Sequence, residues 1–459
     1  MLRAGAGAAG SLLLPACTRP GGDARPSIVL LLADDLGLEC LGAYGGTTFA
    51  TPHVDALAQA GMRFTNVFAT PACAPSRAEI LTGRYPFRNG WMDNAGPLSP
   101  RSLAASEPTF ARTLQAGGYA TAIAGKWQLG SLAERPSTPQ DSGFSESCCW
   151  SLELVGGKLE STPDNSRYWA PRLWQNGRLL ETTAETYGPD VEFEFLSAFM
   201  ERNAGKPFLA YHAMNLPHAP YHVPPGYAAP DAGAPQEAQI AASYAAMIGY
   251  MDELVGRWVA RLGELGIAER TLVVFTSDNG GNENFVVSLG EREIQGGKFT
   301  LGESGSNVAF VARRPGVVPA GAVCDELVDF TDVLPTFAAL GRSATPDVRL
   351  DGYDFAPVLD GKGASARPWV YCQLGRNAFI RDRAWRLATD GHLFHVLGTY
   401  ADEPADPRSD EKARAAYDGL RAALLALLGD DAKRLKLAPA LLRGEPLPPV
   451  PAPDAGRRS

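Results

Sequence analysis

The sequence is poor in cysteine and histidine and has no excess of positive charge. Its 7 cysteines are spread over 459 residues, which excludes a small scaffold held by a dense set of disulfides. The 51 acidic residues outnumber the 42 basic ones, and the net charge of −9 argues against a nucleic-acid-binding protein. No apolar run beyond the N-terminus reaches the ~18 residues that a membrane span needs. The sequence therefore predicts neither nucleic acid as a partner nor a transmembrane helix.

The first 17 residues have the composition of an export signal. One basic residue, Arg3, precedes an apolar stretch that ends in Leu14-Pro15-Ala16-Cys17. This order resembles a bacterial lipoprotein signal, with Cys17 as the lipidated residue. We therefore expect an exported protein, either in the bacterial periplasm or anchored to the membrane by a lipid at Cys17. An ordinary cleaved export signal and a misplaced start codon are the alternatives.

Apolar runs and amphipathic stretches alternate along most of the chain. Ser27–Ala33 and Thr271–Ser277 are continuous apolar runs, typical of parallel strands that are buried on both faces. Apolar residues that recur every three or four positions from Ile240 to Leu265 predict a helix of roughly 25–30 residues. This alternation predicts an α/β protein with a doubly wound sheet between layers of helices. Further strands are expected at residues 62–67, 119–124, 207–213 and 308–312, and short helices at residues 54–60 and 109–116.

The chain changes character near residue 345. After a helical pattern at residues 330–340, several short strand patterns precede an amphipathic helix at Glu411–Leu428. We expect three parts downstream of a tether at residues 21–26: a catalytic lobe, a smaller C-terminal α+β subdomain and a disordered, proline-rich tail. Their predicted ranges are 24–344, 345–443 and 444–459.

The most informative segment runs from Cys73 to Arg84 and reads CAPSRAEILTGR. Pro75 suits the first turn of a helix, and Gly83 can end that helix in a left-handed conformation. Cys73 would then lie at the helix N-terminus, where free N–H groups and the helix dipole favour an anion. Arg77, one turn later, can offer forked donors to an oxyanion. A structural cysteine in a proline-rich loop is the alternative.

Two polar pairs follow the two apolar strands, Asp34-Asp35 after the first and Asp278-Asn279 after the second. Ligands in open α/β sheets gather at the carboxyl ends of strands, and the glycines after each pair allow the chain to turn there. Three carboxylates and one amide form an all-oxygen set that suits Ca²⁺ or Mg²⁺ better than Zn²⁺. The number and flexibility of the ligands favour Ca²⁺. Turn-forming or helix-capping roles for these residues are the alternative.

These segments resemble the type I sulfatases, the formylglycine-dependent family of the alkaline phosphatase superfamily. Besides the cysteine segment, the resemblance rests on motifs spread from residue 27 to about residue 335, and it implies an alkaline-phosphatase-like fold with a mixed, mostly parallel sheet sandwiched by helices. The motifs are Ala-Asp-Asp-Leu-Gly at 33–37, Thr-Pro-x-x-Asp-x-Leu-Ala at 51–58, Gly-Lys-Trp at 125–127, Pro-His-x-Pro at 217–220, Ser-Asp-Asn-Gly at 277–280 and Gly-Gly-Lys at 296–298.

The resemblance also implies how individual residues act. A maturation enzyme would convert Cys73 to 3-oxoalanine (formylglycine), whose hydrate attacks the sulfur of a sulfate ester and then releases sulfate. Lys126 and Lys298 would neutralise the non-bridging oxygens, and His218, with Lys298, would protonate the leaving oxygen. One Ca²⁺ would polarise a sulfate oxygen. Its ligands would be the residues at the two strand ends and the modified residue, namely Asp34, Asp35, Cys73, Asp278 and Asn279.

One departure from the family pattern bears on the chemistry. The usual Gly-Lys-Trp-His reads Gly-Lys-Trp-Gln here, so Gln128 replaces the histidine that is usually taken as the base for the release step. Glutamine cannot accept a proton at neutral pH. Three readings stay open: Gln128 orients the hydrated aldehyde while another group takes the proton, the enzyme is slow or specialised, or the chain is a non-catalytic relative.

The expected function is the hydrolysis of sulfate esters. A sulfated carbohydrate is the expected substrate, from the family and from the export signal. A phosphonate or phosphate ester hydrolase on the same scaffold is the nearest alternative enzyme, because sulfate and phosphate are both tetrahedral anions. A protein that binds sulfated glycans without catalysis is the non-enzyme alternative, and only Gln128 supports it.

Overall fold

The computed structural model of the protein describes residues 25–94, 102–152, 154–155, 158–159 and 166–450. The predicted signal at residues 1–17, which includes Cys17, lies outside these ranges, as do residues 451–459 of the predicted disordered tail. Among the helices of the described residues, none is both long and apolar enough to cross a membrane.

A ten-stranded sheet lies at the centre of the larger lobe. Its middle strands are parallel, and antiparallel pairs occur toward both edges. This arrangement confirms the predicted mixed, mostly parallel sheet. In spatial order the strands are β14 (Ala322–Asp329), β2 (Met62–Phe68), β13 (Phe310–Arg313), β10 (Thr271–Ser277), β1 (Ser27–Ala33), β9 (Phe208–Ala213), β3 (Ala120–Trp127), β4 (Glu146–Ser151), β7 (Trp174–Gln175) and β8 (Arg178–Leu179).

Strand β1 shows why a continuous apolar run is needed in the middle of this sheet. Ile28, Leu30 and Leu32 belong to the hydrophobic cluster on one face, whereas Val29 and Leu31 belong to the cluster on the other. Successive side chains of a strand point to opposite faces, so a strand covered on both sides must be apolar throughout. The strand pairs in parallel register with β10 from its first residue to its last, and the two strands therefore end at the same level.

Helices cover both faces of the sheet. The predicted long helix is confirmed as α7 (Gln236–Glu264), whose stripe of Tyr244, Met247, Met251 and Trp258 is buried. The other helices of the described residues are α1 (Pro52–Gln59), α2 (Cys73–Thr82), α3 (Pro86–Asn89), α4 (Phe110–Ala116), α5 (Thr138–Asp141), α6 (Gly188–Arg202), α8 (Glu303–Ser306), α9 (Val333–Gly341), α10 (Ala356–Leu359), α11 (Glu411–Leu428) and α12 (Pro439–Arg443).

A smaller, five-stranded antiparallel sheet follows toward the C-terminus, and α11 packs against it. Its first four strands lie close to the short strand patterns of the sequence at residues 371–374, 378–381, 384–389 and 393–397, whereas the fifth was not predicted. Phe355 and Leu359 pack in the core of the larger lobe, so the chain between residue 345 and the small sheet follows that lobe. The boundary itself stays a prediction. The strands are β15 (Val370–Leu374), β16 (Asn377–Arg381), β17 (Trp385–Ala388), β18 (Leu393–Gly398) and β19 (Ala401–Ala405).

Two hairpins and several short 3₁₀ helices complete the described structure. The hairpins are β5 (Leu154–Val155) with β6 (Lys158–Leu159), and β11 (Val286–Leu289) with β12 (Arg292–Gln295). The 3₁₀ helices are Leu38–Cys40, Gly42–Tyr44, Ala268–Arg270, Phe330–Asp332 and Gly429–Arg434.

Candidate active site

The two polar pairs meet at the carboxyl ends of β1 and β10. The backbone N–H of Asp278 donates to the carbonyl of Ala33 at 3.0 Å, which extends the strand pairing past the last strand residue. Asp35 has a left-handed φ of 62°, a conformation that residues with a Cβ rarely adopt. Its N–H donates to Asp278 Oδ1 at 3.1 Å. The turn at Asp35 thus brings both members of the first pair against the second pair.

Cys73 lies beside these carboxylates at the first position of α2. Ala72 is the N-cap, and Gly83 ends the helix with a φ of 66°, as the sequence predicted. The Cys73 Sγ is 3.4 Å from Asp34 Oδ1 and 3.5 Å from Asp35 Oδ1. Burial, together with the charge of Asp278, raises the pKa of the thiol well above its usual range. The unmodified residue is therefore a neutral thiol in an acidic pocket, a poor environment for a thiolate nucleophile.

Three buried cations neutralise the three carboxylates. Lys126 Nζ lies 2.7 Å from Asp34 Oδ2, and Lys298 Nζ lies 2.6 Å from Asp35 Oδ2. The third pair joins the guanidinium of Arg77 to Asp278, with Nε 2.9 Å from Oδ2.

These contacts set the ionisation of the carboxyl groups in the pocket. Burial opposes ionisation of Asp34, but Lys126, His218 and Arg77 hold its pKa well below the usual range. Burial raises the pKa of Asp278 to about 6, against the opposing effect of Arg77. The three carboxylates and the three buried cations thus balance one another in charge.

His218 stands at the entrance of the pocket. Its Nε2 is 3.5 Å from Asp35 Oδ2 and 3.3 Å from Lys298 Nζ, on the side that faces the carboxylates. On the other side of the ring, Nδ1 is 3.2 Å from Nη1 of Arg167. Burial lowers the pKa of His218 to about 4, although Asp35 and Asp34 oppose that shift. The side chain is 21 % exposed, more than those of Asp35, Lys126, Lys298 and Arg77.

The residues at the strand ends fit a hard cation such as Ca²⁺. Ligand atoms of Asp34, Asp35, Cys73 and His218 all lie within 4.8 Å of one another. Oδ1 of Asn279 is buried and has no hydrogen-bond partner among the described residues, although a buried carbonyl oxygen is costly to leave unpaired. A cation bonded to that oxygen and to carboxylates would satisfy it. Asp278 stands outside this four-residue group.

Two further buried polar atoms have no hydrogen-bond partner among the described residues, and they differ in kind. Nη1 of Arg77 is a donor and suits an oxyanion, while the Nε of the same guanidinium is committed to Asp278. Oε1 of Gln128, which follows β3 two residues after Lys126, is an acceptor and suits a hydroxyl or N–H group. Gln128 is half-buried, and its role in a reaction stays a prediction.

His212, Cys148 and Cys149 have partners or surroundings outside the site. His212 is buried beneath it, where Trp258 Nε1 donates to its Nδ1 at 3.1 Å and Glu192 faces its Nε2. Cys148 and Cys149 are buried in β4 and form no disulfide, as expected for small apolar residues.

Sequence reasoning missed two residues near the site. Arg167, in an irregular segment without periodicity, contacts His218. Phe299 follows Lys298 with a left-handed φ of 63° and is 45 % exposed, and its ring lies 5.0 Å from Lys298 Nζ. The only available signal was the position of Phe299 directly after the lysine motif.

Comparison with known proteins agrees with these observations. The sequence model of the Sulfatase family matches residues 26–343. The chain is 32% identical over 428 residues to arylsulfatase A of Homo sapiens, covering 87% of this chain and 81% of the relative. It is 31% identical over 389 residues to N-acetylgalactosamine-6-sulfatase of Canis lupus familiaris, covering 76% and 69%. The crystal structure of Ps i-CgsB is similar in fold, with a TM-score of 0.74, 24% identity, and coverage of 92% of this chain and 96% of that one.

Proposed function

Since the chain belongs to the sulfatase family and is a sulfuric ester hydrolase, we propose that it hydrolyses sulfate esters of carbohydrates with formylglycine at position 73 and one Ca²⁺. The observation that carries this proposal is the contact of Cys73 with both Asp34 and Asp35 at the end of β1. A residue at this position touches the carboxylates that would hold the metal. One sulfate group can therefore reach residue 73 and the metal at the same time.

Formylglycine at position 73 would supply an oxygen nucleophile, and a bound Ca²⁺ would supply a Lewis acid for a sulfate oxygen. Asp34, Asp35 and Asn279 would hold the cation through oxygen atoms, together with residue 73 and Asp278. We infer that a formylglycine-generating enzyme modifies Cys73, because the buried, neutral thiol is unsuited to attack on its own.

The chain's own residues bind and orient the sulfate group. Lys126 and Lys298 bring buried positive charge into the pocket and stabilise the non-bridging oxygens as their charge grows. The free Nη1 of Arg77 adds a donor, while its bond to Asp278 fixes the guanidinium. Nε2 of His218 faces the pocket beside Lys298, so the ring can pass a proton to the leaving oxygen once it is protonated, a form that its pKa of about 4 favours at acidic pH.

Two observations support a sulfated carbohydrate as the substrate. One relative is named for the 6-sulfate of N-acetylgalactosamine, and it shares 31% identity with 76% of this chain. The exposed ring of Phe299 beside Lys298 offers an apolar face at the entrance of the pocket. Aromatic faces of this kind suit the C–H face of a sugar as well as an aryl ring.

The test compares the sulfate, phosphate and phosphonate esters of 4-nitrophenol, and it adds galactosamine 6-sulfate as a sugar sulfate. The matured protein should hydrolyse 4-nitrophenyl sulfate and galactosamine 6-sulfate, with much slower hydrolysis of 4-nitrophenyl phosphate and of the corresponding phosphonate monoester. Cys73→Ala should abolish all of these activities. Faster turnover of the phosphonate than of the sulfate would replace the proposal by a phosphonate hydrolase, and binding without hydrolysis of any ester would replace it by a glycan-binding protein.

A further inference from the structure

Arg167 is a buried positive charge for which the described residues offer no carboxylate partner. The residue is only 9 % exposed, and its guanidinium lies 4.0 Å from the ring centre of Trp150. Its Nη1 lies 3.2 Å from Nδ1 of His218, a ring nitrogen that carries no negative charge and that also lies 2.5 Å from the carbonyl oxygen of Ala219. Buried arginines normally have an anionic partner, because removing the charge from water is costly. Stacking on Trp150 offsets only part of that cost.

The acidic residues nearby have other partners. Asp34 and Asp35 are bonded to Lys126 and Lys298, so they do not neutralise Arg167. Glu192 feels the charge of Arg167, but its oxygens face Asn215 at 2.9 Å and His212 at 3.3 Å. The charge balance of the three carboxylates and the three inner cations therefore leaves Arg167 as an additional positive charge beside His218.

The position of Arg167 identifies which part of a ligand it would meet. His218 Nε2 faces the sulfate pocket, and Arg167 lies behind the opposite ring nitrogen at 3.2 Å. An imidazole ring is about 2 Å across between its nitrogens and a hydrogen bond spans about 3 Å, so the guanidinium lies within roughly 8 Å of a leaving oxygen bonded to Nε2. That spacing corresponds to one sugar or aryl ring on the leaving-group side.

We propose that Arg167 is a subsite for a second anionic group, a carboxylate or a second sulfate, on the leaving group of the substrate. The guanidinium uses one N–H on His218 and keeps other donors for a forked pair with an anion. The substrates that suit this chain therefore carry at least two negative charges one ring apart. This inference rests on the proposed function, since it takes the pocket beside His218 as the site of the scissile sulfate.

A binding experiment tests the subsite without requiring catalysis. Benzene-1,3-disulfonate and benzene-1,4-disulfonate present two anions on one ring, and benzenesulfonate presents one. By titration calorimetry at fixed ionic strength, the full chain should bind at least one disulfonate about ten-fold or more tightly than the monosulfonate, the advantage expected of a charge-assisted hydrogen bond. Arg167→Gln should lose this preference while still binding benzenesulfonate. Arg167→Lys, which keeps the charge without the fork, should retain part of it.

The matched control is Arg172→Gln. Arg172 lies in the same segment and has its guanidinium 6.0 Å from the ring centre of Trp174, and it should keep the full preference for the disulfonates. Melting curves establish that each variant is folded. Equal affinity of the wild type for both ligand classes, or an unchanged preference in Arg167→Gln, would overturn the subsite.

Activity assays separate this inference from the proposed function. If the matured enzyme hydrolyses 4-nitrophenyl sulfate but shows no preference for disulfonates, the function stands and the subsite fails. If the preference depends on Arg167 but neither aryl nor sugar sulfates are hydrolysed, the subsite stands and the function fails. If Arg167→Gln lowers kcat equally for singly and doubly charged sulfate esters, Arg167 only positions His218, and the subsite is again overturned.

Discussion

Asn279 donates a hydrogen bond from Nδ2 to Oδ1 of Asp35 at 2.9 Å, although the two residues are 244 positions apart in the chain. Its own Oδ1 is buried without a partner among the described residues. The contact exists because β1 and β10 pair in parallel and end at the same level. A cation between the carboxylates and this amide oxygen would complete the arrangement.

We therefore expect Ca²⁺ to stabilise the folded protein. At a free concentration of 100 times Kd, one bound ion adds about 2.7 kcal/mol to the free energy of unfolding. Scanning calorimetry should show a rise in Tm for the wild type and a smaller rise for Asn279→Ala. Asn284→Ala, at an exposed position, serves as the control and should behave as the wild type. A Tm that is unchanged by Ca²⁺ would contradict the assignment, as would full sulfatase activity in chelator.

His218 should matter most when the leaving group is poor. Because its Nε2 faces the pocket beside Lys298, His218→Ala removes the group that protonates the leaving oxygen. We expect kcat/KM for an alkyl or sugar sulfate to fall by about 10²–10⁴-fold, with a much smaller loss for 4-nitrophenyl sulfate. His222→Ala, at an exposed position of the same loop, should leave both substrates unaffected. An equal loss for both leaving groups would assign His218 to binding instead.

Gln128 should act after the alcohol has left. If it orients the group that releases sulfate, Gln128→Ala should lower steady-state turnover at least about ten-fold, the loss expected from a hydrogen bond to a charged or reacting group. With 4-nitrophenyl sulfate, rapid mixing should reveal a burst of nitrophenol before slow turnover, and residue 73 should be modified to the same extent as in the wild type. Wild-type kinetics in both phases would make Gln128 structural and require another proton acceptor.

Arg367 ties the C-terminal part of the chain to the larger lobe. Its guanidinium is buried between Asp332, Tyr85 and Thr331, with Nε 2.8 Å from Asp332 Oδ2. Arg367→Ala leaves Asp332 buried without its cation, so urea unfolding should show a loss of about 3–5 kcal/mol.

The control for this measurement is an exposed arginine pair. Arg383 is 49 % exposed and bonded to Asp325 and Glu326, and Arg383→Ala should cost at most about 1 kcal/mol. Equal losses in the two variants would show that burial does not decide the strength of these contacts.

The sequence predicted most accurately those elements whose burial leaves a periodic pattern. The two central strands and α11 were placed with their observed bounds, because burial on both faces or on one stripe dictates residue type at each position. The strand β4 (ESCCWS) was missed, since its polar and apolar residues form neither a continuous run nor a clean alternation. The final strand β19 (ADEPA) is polar and partly exposed, so it carries no hydrophobic signal.

The residues of the candidate site were likewise predicted where they stand next to elements with a clear burial pattern. Cys73 and the two acidic pairs stand at element ends, where strand and helix patterns locate them, and the structure brings them together. The contact of Arg167 with His218 depends on how two irregular segments fold against each other, which no local pattern encodes. The sequence predicted a turn after Asp34-Asp35 from the glycine that follows, whereas the left-handed residue is Asp35 itself.

The chemical state of residue 73 tests the central claim most directly. Peptide mass spectrometry should be applied to active protein expressed with a formylglycine-generating enzyme, and the fraction of aldehyde at position 73 should be compared with specific activity. The account predicts an aldehyde in place of the thiol and an activity that rises in proportion to its fraction, with none in Cys73→Ala. An active preparation that contains only the free Cys73 thiol would contradict it.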